Sequence, residues 1–240
     1  MTLEPFPTDW QRALAVVAHP DDMEYGASGA VAAWTQAGKE VAYLLVTRGE
    51  AGIDSLSPAE CGPAREQEQR RACAAVGVEQ CEFLDHPDGV IEYGLPLRRD
   101  IAAAIRRHRP DLVITGNFAD RWATGGLNMA DHVHTGRATL DAVRDAGNRW
   151  VFPGAGGEPW NGVRWLAVSG SPQATHGVDI GEVFDRAVAS LSAHELYLRG
   201  LGGGGMADPE AFLRPHAEQA AQQLPGATLA TTFELHDLGA

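Results

Sequence analysis

The sequence predicts an α/β protein with an open, mostly parallel sheet covered by helices on both faces, and three observations predict it. Apolar runs of strand length alternate with longer amphipathic stretches. Glycines stand just beyond three of those stretches, where helices end. Polar, ionisable residues collect directly behind the apolar runs, so one edge of the sheet carries the chemistry.

Taken in order, the run from Ala13 to Ala18 is continuously apolar, and Leu14–Val17 within it reads as a strand buried on both faces. Gly29–Ala37 follows as a helix closed by Gly38, and Glu40–Val46 as the second strand. Ala64–Val76 is the next helix, closed by Gly77, before the strand Gln80–Leu84. Leu97–His108 is amphipathic and stopped by Pro110, and Leu112–Thr115 is the fourth strand. His132–Ala146, closed by Gly147, leads to the fifth, Trp165–Ser169. The Gly/Pro-rich stretch from Gly154 to Pro159 reads as a long loop, and Gly202–Gly205 as a flexible surface segment.

At 240 residues the chain supports one α/β core, so residues 1–240 are expected to form a single domain. A net charge of -13 argues against nucleic acid and against an anionic membrane surface as partners. The first ten residues carry neither the basic nor the apolar segment of a signal peptide, and no apolar run reaches the roughly 20 residues of a spanning helix. Cys61, Cys73 and Cys81 are odd in number and form no Cys-x-x-Cys pair, as in a reduced cytoplasmic protein.

His19-Pro20-Asp21-Asp22 sits at the end of the first strand. Two adjacent carboxylates repel, and burying either without a cation or donor costs several kcal/mol. A divalent metal removes the conflict by taking His19 and one aspartate as ligands and leaving the other as a base. A catalytic zinc usually has three protein ligands, and His132, opening a helix on the same edge, is the best third; His134, two residues on, faces elsewhere. The other strands run into Thr47-Arg48-Gly49-Glu50, Asp85-His86-Pro87-Asp88-Gly89 and the segment from Gly116 to Trp122.

These residues resemble the LmbE/PIG-L family of zinc-dependent N-deacetylases. The likeness is carried by Ala18-His19-Pro20-Asp21-Asp22 with Glu24, Thr47–Gly52, Arg65-Glu66-x-Glu68, Arg109–Thr115 and Asp131–Arg137, in that order. It implies a Rossmann-like fold, one Zn2+ per chain held by His19, Asp22 and His132, and Asp21 as general base. Arg65 and Asp88 align with family positions that meet the substrate, and His194 survives from a His-x-Ser-Gln run. The implied reaction is removal of an acyl group from an N-acylated amino sugar or glycoconjugate, and the family's assembly as trimers or hexamers implies a homo-oligomer.

One departure stands out. The family's His-Pro-Asp-His reads Met129-Ala130-Asp131-His132 here, and a thioether is only a weak acceptor. Losing one oxyanion donor typically costs on the order of 10²–10³ in rate. His134, His86, Arg121 and His176 are the candidate replacements, and Trp122, Trp160 and Trp165 are candidates for a sugar-stacking wall. The departure keeps two other readings open: a zinc-dependent hydratase or lyase acting on a small unsaturated carboxylic acid, and a binding homologue without turnover.

Overall fold

The central strand forms where the sequence is most continuously apolar: Leu14, Ala15 and Val16 are fully buried, their side chains pointing alternately to two separate cores. The computed structural model describes residues 2–239. Its strands are β1 (Glu4–Pro5), β2 (Arg12–Val17), β3 (Glu40–Leu45), β4 (Gln80–Phe83), β5 (Leu112–Gly116), β6 (Trp165–Ser169), β7 (His176–Asp179) and β8 (Ala230–Asp237). The helices are α1 (Asp22–Gly26), α2 (Ser28–Gln36), α3 (Pro58–Ala75), α4 (Leu95–His108), α5 (Ala130–Gly147), α6 (Phe184–Ser192), α7 (Glu195–Gly200) and α8 (Pro209–Ala221). None is long and apolar enough to cross a membrane.

The strands form one sheet in the order β1-β7-β8-β6-β5-β2-β3-β4, parallel except for β8, which runs antiparallel to both β6 and β7. The α/β class and the five expected strands are present, each within a residue or two of its expected bounds. From β2 the chain proceeds outward to β3 on one side and later returns to β5 on the other. The strand order therefore reverses between β2 and β5, and in open α/β sheets a ligand crevice forms there, beyond the carboxyl ends.

One core lies under α2 and α6, with Trp34, Phe184 and Phe233; the other lies under α4 and α5, with Leu97, Ile101 and Ala142. Helix α3 starts at Pro58, earlier than expected. Ser57 and Glu60 form a reciprocal capping box that outweighs the breaking tendency of Gly62-Pro63. Gly38 and Gly77 take the left-handed conformation of helix-ending glycines. Gly147 does not; it is the last helical residue, packed against Asn161. Arg109, not a glycine, takes the left-handed position after α4.

Arg106 is 3% exposed, and its guanidinium donates to the carbonyls of Asp145, Ala146, Asn148, Val151, Phe152 and Ala155. It thereby satisfies the open carbonyl end of α5 and fixes the loop that follows. Arg106→Leu is expected to lower the unfolding free energy by about 3 kcal/mol or more, read in a urea titration, because six acceptors lose one donor.

Candidate active site

A cleft of about 1320 Å³ opens at the predicted crevice. Val17, Ala18 and His19 border it from the end of β2, Thr115 and Asn117 from β5, and Ser169 and Gly170 from β6. At its inner end the turn after β2 is closed by Asp22, whose carboxylate accepts the His19 backbone N–H at 2.9 Å. The opposite wall is the start of α5, which supplies His132.

His19, Asp22 and His132 each present a ligand atom within 4.8 Å of the others. Asp22 Oδ1 lies 3.1 Å from His132 Nε2, and Asp22 Oδ2 lies 3.7 Å from His19 Nδ1. The far nitrogens are held from behind: His19 Nε2 faces Asp88 at 3.0 Å and Asp131 at 3.2 Å, while His132 Nδ1 faces Asn128 Oδ1 at 3.0 Å. Asp131 is itself fixed by the backbone N–H groups of Gly89 and Ile91. This is the outer-shell arrangement by which metal-binding histidines are oriented.

The electrostatics also fit a cation. Burial disfavours charge on His19, yet Asp131, Asp22 and Asp88 outweigh it and push its pKa up to about 12. Burial opposes ionisation of Asp22 too, but His132 and His19 hold its carboxyl well below the usual carboxylate range. Two imidazoles and a carboxylate converging on one point form a donor set suited to zinc or a similar divalent ion.

Asp21 points to a different set of partners because its backbone is left-handed, with φ 88°. Its N–H donates to Gln69 Oε1 at 3.0 Å, and its carboxylate accepts from Arg65 Nη2 at 2.6 Å. Burial pushes its pKa up to about 6, while the Arg65 charge opposes the rise. Arg65 also donates to Pro20 O and Gly49 O, and a Cβ on Gly49 or Gly52 would run into its guanidinium. The glycines of the Thr47–Gly52 motif make room for the arginine that grips Asp21.

Arg65 and Asp88 border the cleft, with their polar atoms engaged inward, Asp88 by the Ala51 N–H and His19. The expectation that His194 meets substrate is corrected. It is fully buried and does not border the cleft, and its Nε2 lies 3.5 Å from Glu24 Oε2 behind the site. Glu24 in turn accepts from Gln69, so His194 touches the chain of groups behind Asp21. None of the candidate replacement donors borders the cleft: His134 faces Ile91 O, His86 faces Asp100, Arg121 donates to Gly125 O, and His176 lies beside Thr175. Of the tryptophans only Trp122 borders it, edge-on to His132.

Sequence reasoning missed Asn128, Gln69 and Tyr197. Asn128 stands four residues before His132, in the loop just ahead of α5, and that nearness was its only signal. Gln69 and Tyr197 come from α3 and α7 and meet Asp21 and Arg65 only in three dimensions; Tyr197 borders the cleft with its ring 4.3 Å from the Arg65 guanidinium carbon.

The sequence profile of PIG-L, GlcNAc-PI de-N-acetylase, matches residues 14–143, more than half of the chain. The diacetylchitobiose deacetylase of Thermococcus kodakarensis is 30% identical over 198 residues, covering 80% of this chain and 72% of that protein. Among solved structures, N,N'-diacetylchitobiose deacetylase from Pyrococcus horikoshii superposes with a TM-score of 0.82 at 23% identity, covering 95% of this chain and 85% of that one. The 4-carboxy-2-hydroxymuconate hydratase of Pseudomonas putida has a TM-score of 0.72 at 19% identity, covering 96% and 97%. At those identities the two structures speak to the fold, which serves both kinds of enzyme. The profile match and the T. kodakarensis relative, together with the His19–Asp22 turn and His132, establish that the chain belongs to the PIG-L family.

Proposed function

We propose that the protein is a zinc-dependent de-N-acetylase that hydrolyses the amide of an N-acylated amino sugar or glycoconjugate. The observation that carries this reading is the division of labour between neighbours: His19, Asp22 and His132 converge, while Asp21 borders the same cleft in the grip of Arg65. In this reading the first three hold the metal, and Asp21 is the general base. A divalent ion bound there supplies Lewis acidity, polarising the amide carbonyl and lowering the pKa of water.

The chain's own groups then carry the protons. Asp21 takes one from the attacking water and returns it to the leaving amine. With an ion bound, Asp88 and Asp131 would accept the one proton left on His19, at Nε2, and Asn128 Oδ1 that of His132, at Nδ1, so that His19 Nδ1 and His132 Nε2 would be the nitrogens that hold the metal. In this reading Tyr197, which borders the cleft with its ring over Arg65, takes the place of the oxyanion donor that Met129 cannot supply. Its hydroxyl stays protonated because burial and the nearby Asp21 charge push its pKa up. Tyr197→Phe is expected to lower kcat roughly 100-fold in an acetate-release assay, with metal content unchanged.

Met129 is the observation that favours a hydratase acting on an unsaturated carboxylic acid. The cleft counts against it: among the described residues lining it, Arg65 is the only lysine or arginine, and its guanidinium is taken by Asp21 and two carbonyls. Apart from the metal, a carboxylate substrate finds no second lysine or arginine in the lining. The test is acetate release from N,N'-diacetylchitobiose by zinc-loaded protein; hydration of an unsaturated carboxylic acid with no acetate release from a panel of N-acetylated amino sugars would overturn the reading.

A further inference from the structure

Resting on the assignment of Asp21 as the base, we infer that His194 is a positioning residue that fixes Asp21 from behind, acting through Glu24 and Gln69. The three side chains form a file from the core to the turn after β2. His194 is fully buried, and Glu24 and Gln69 are each 1% exposed.

The file has a direction. Gln69 Oε1 accepts the Asp21 N–H at 3.0 Å, and Gln69 Nε2 donates to Glu24 Oε1 at 3.1 Å. A flipped amide would set its nitrogen against the Asp21 N–H and its oxygen against a carboxylate, two repulsive contacts. Glu24 therefore decides which way Gln69 faces, and Gln69 decides whether the Asp21 N–H has an acceptor. That N–H belongs to a residue with φ 88°, a conformation costly to any side chain. Its hydrogen bond helps to offset that cost, and the turn so held aims the carboxylate at Arg65.

At its other oxygen Glu24 has only His194. Glu24 Oε2 and both His194 ring nitrogens are buried without a hydrogen bond, and His194 Nε2 lies 3.5 Å from that oxygen. Ser190 is no substitute: its hydroxyl donates to Ala72 O at 2.9 Å and meets Glu24 at Oε1, 3.3 Å away. Either protonation state of the imidazole can turn an Nε2–H toward Oε2. Without the ring, the carboxylate keeps a buried oxygen with no partner, turns, and releases first Gln69 and then Asp21. Tyr197, three residues along, is held separately, because Glu68 accepts the N–H groups of Leu196 and Tyr197. A change at residue 194 therefore reads on the base.

The experiment compares His194→Leu, His194→Asn and His194→Gln in zinc-loaded protein. Asparagine is polar but too short to reach Glu24, whereas the glutamine amide nitrogen takes the place of Nε2. The first two are expected to lower kcat on N,N'-diacetylchitobiose about 10- to 100-fold with KM and zinc content unchanged, and either decides alone if the other fails to fold. His194→Gln is expected to stay within about threefold of the parent. In an Asp21→Asn background none of the three lowers kcat further. Amide hydrogen exchange followed by NMR reads the same link without turnover. The Asp21 N–H is expected to exchange at least about tenfold faster in His194→Leu and His194→Asn, while the amides of β2 keep the parent rate. Four results would overturn the inference: no loss in any variant, equal losses in all three, a loss that multiplies with Asp21→Asn, or exchange that quickens alike at Asp21 and throughout β2, which marks a general loosening of the core. Selective exposure of the Asp21 N–H in a protein that releases no acetate would uphold the positioning role and overturn the hydrolase reading.

Discussion

Asp21→Asn is expected to lower kcat on N,N'-diacetylchitobiose by about 10³-fold while the zinc content stays unchanged. The substitution is close to isosteric, and the groups that fix residue 21 are indifferent to it. Gln69 accepts from the backbone N–H, and an amide oxygen still accepts from Arg65. The left-handed backbone that turns the side chain away from Asp22 is therefore kept. What disappears is the ability to take a proton, for which burial has raised this carboxylate toward neutrality while Arg65 keeps it ionised. Activity within tenfold of the parent, with zinc bound, would assign the base to another residue.

The fold was legible where one strand's own side chains decide its burial. Arg12–Val17, Leu112–Gly116 and Trp165–Ser169 are near-continuous apolar runs because helices cover both faces of the parallel sheet. The outer part was less legible. In β8 only Ala230 and Phe233, three residues apart, are buried, and the strand enters the sheet antiparallel between β6 and β7, a placement fixed by long-range pairing and not by any local pattern. The same division holds in the site. His19, Asp21 and Asp22 are adjacent in sequence, and His132 announces itself as a histidine opening a helix on the working edge. His194 shows the limit: retention of a residue type at a familiar position does not say whether it faces the cleft or the core behind it. Here the ring lies in the core beside the buried Glu24 carboxylate.

Asp22→Ala and His132→Ala are expected to reduce bound zinc from about one per chain to a trace, measured by elemental analysis after dialysis, and to abolish turnover with it. Asp131→Ala is the informative contrast. Asp131 and Asp88 also converge on His19 and form a second cluster of possible ligands, so the structure offers two places for an ion. The two share His19 but use opposite sides of its ring, since Asp131 and Asp88 meet Nε2 while Asp22 lies toward Nδ1. Asp131 accepts two backbone N–H groups besides, which leaves little of its carboxylate for a metal. As an orienting group its loss weakens zinc roughly 10- to 100-fold without preventing saturation at higher metal concentration. If Asp131→Ala emptied the protein and Asp22→Ala left it loaded, the ion would belong on the Nε2 side.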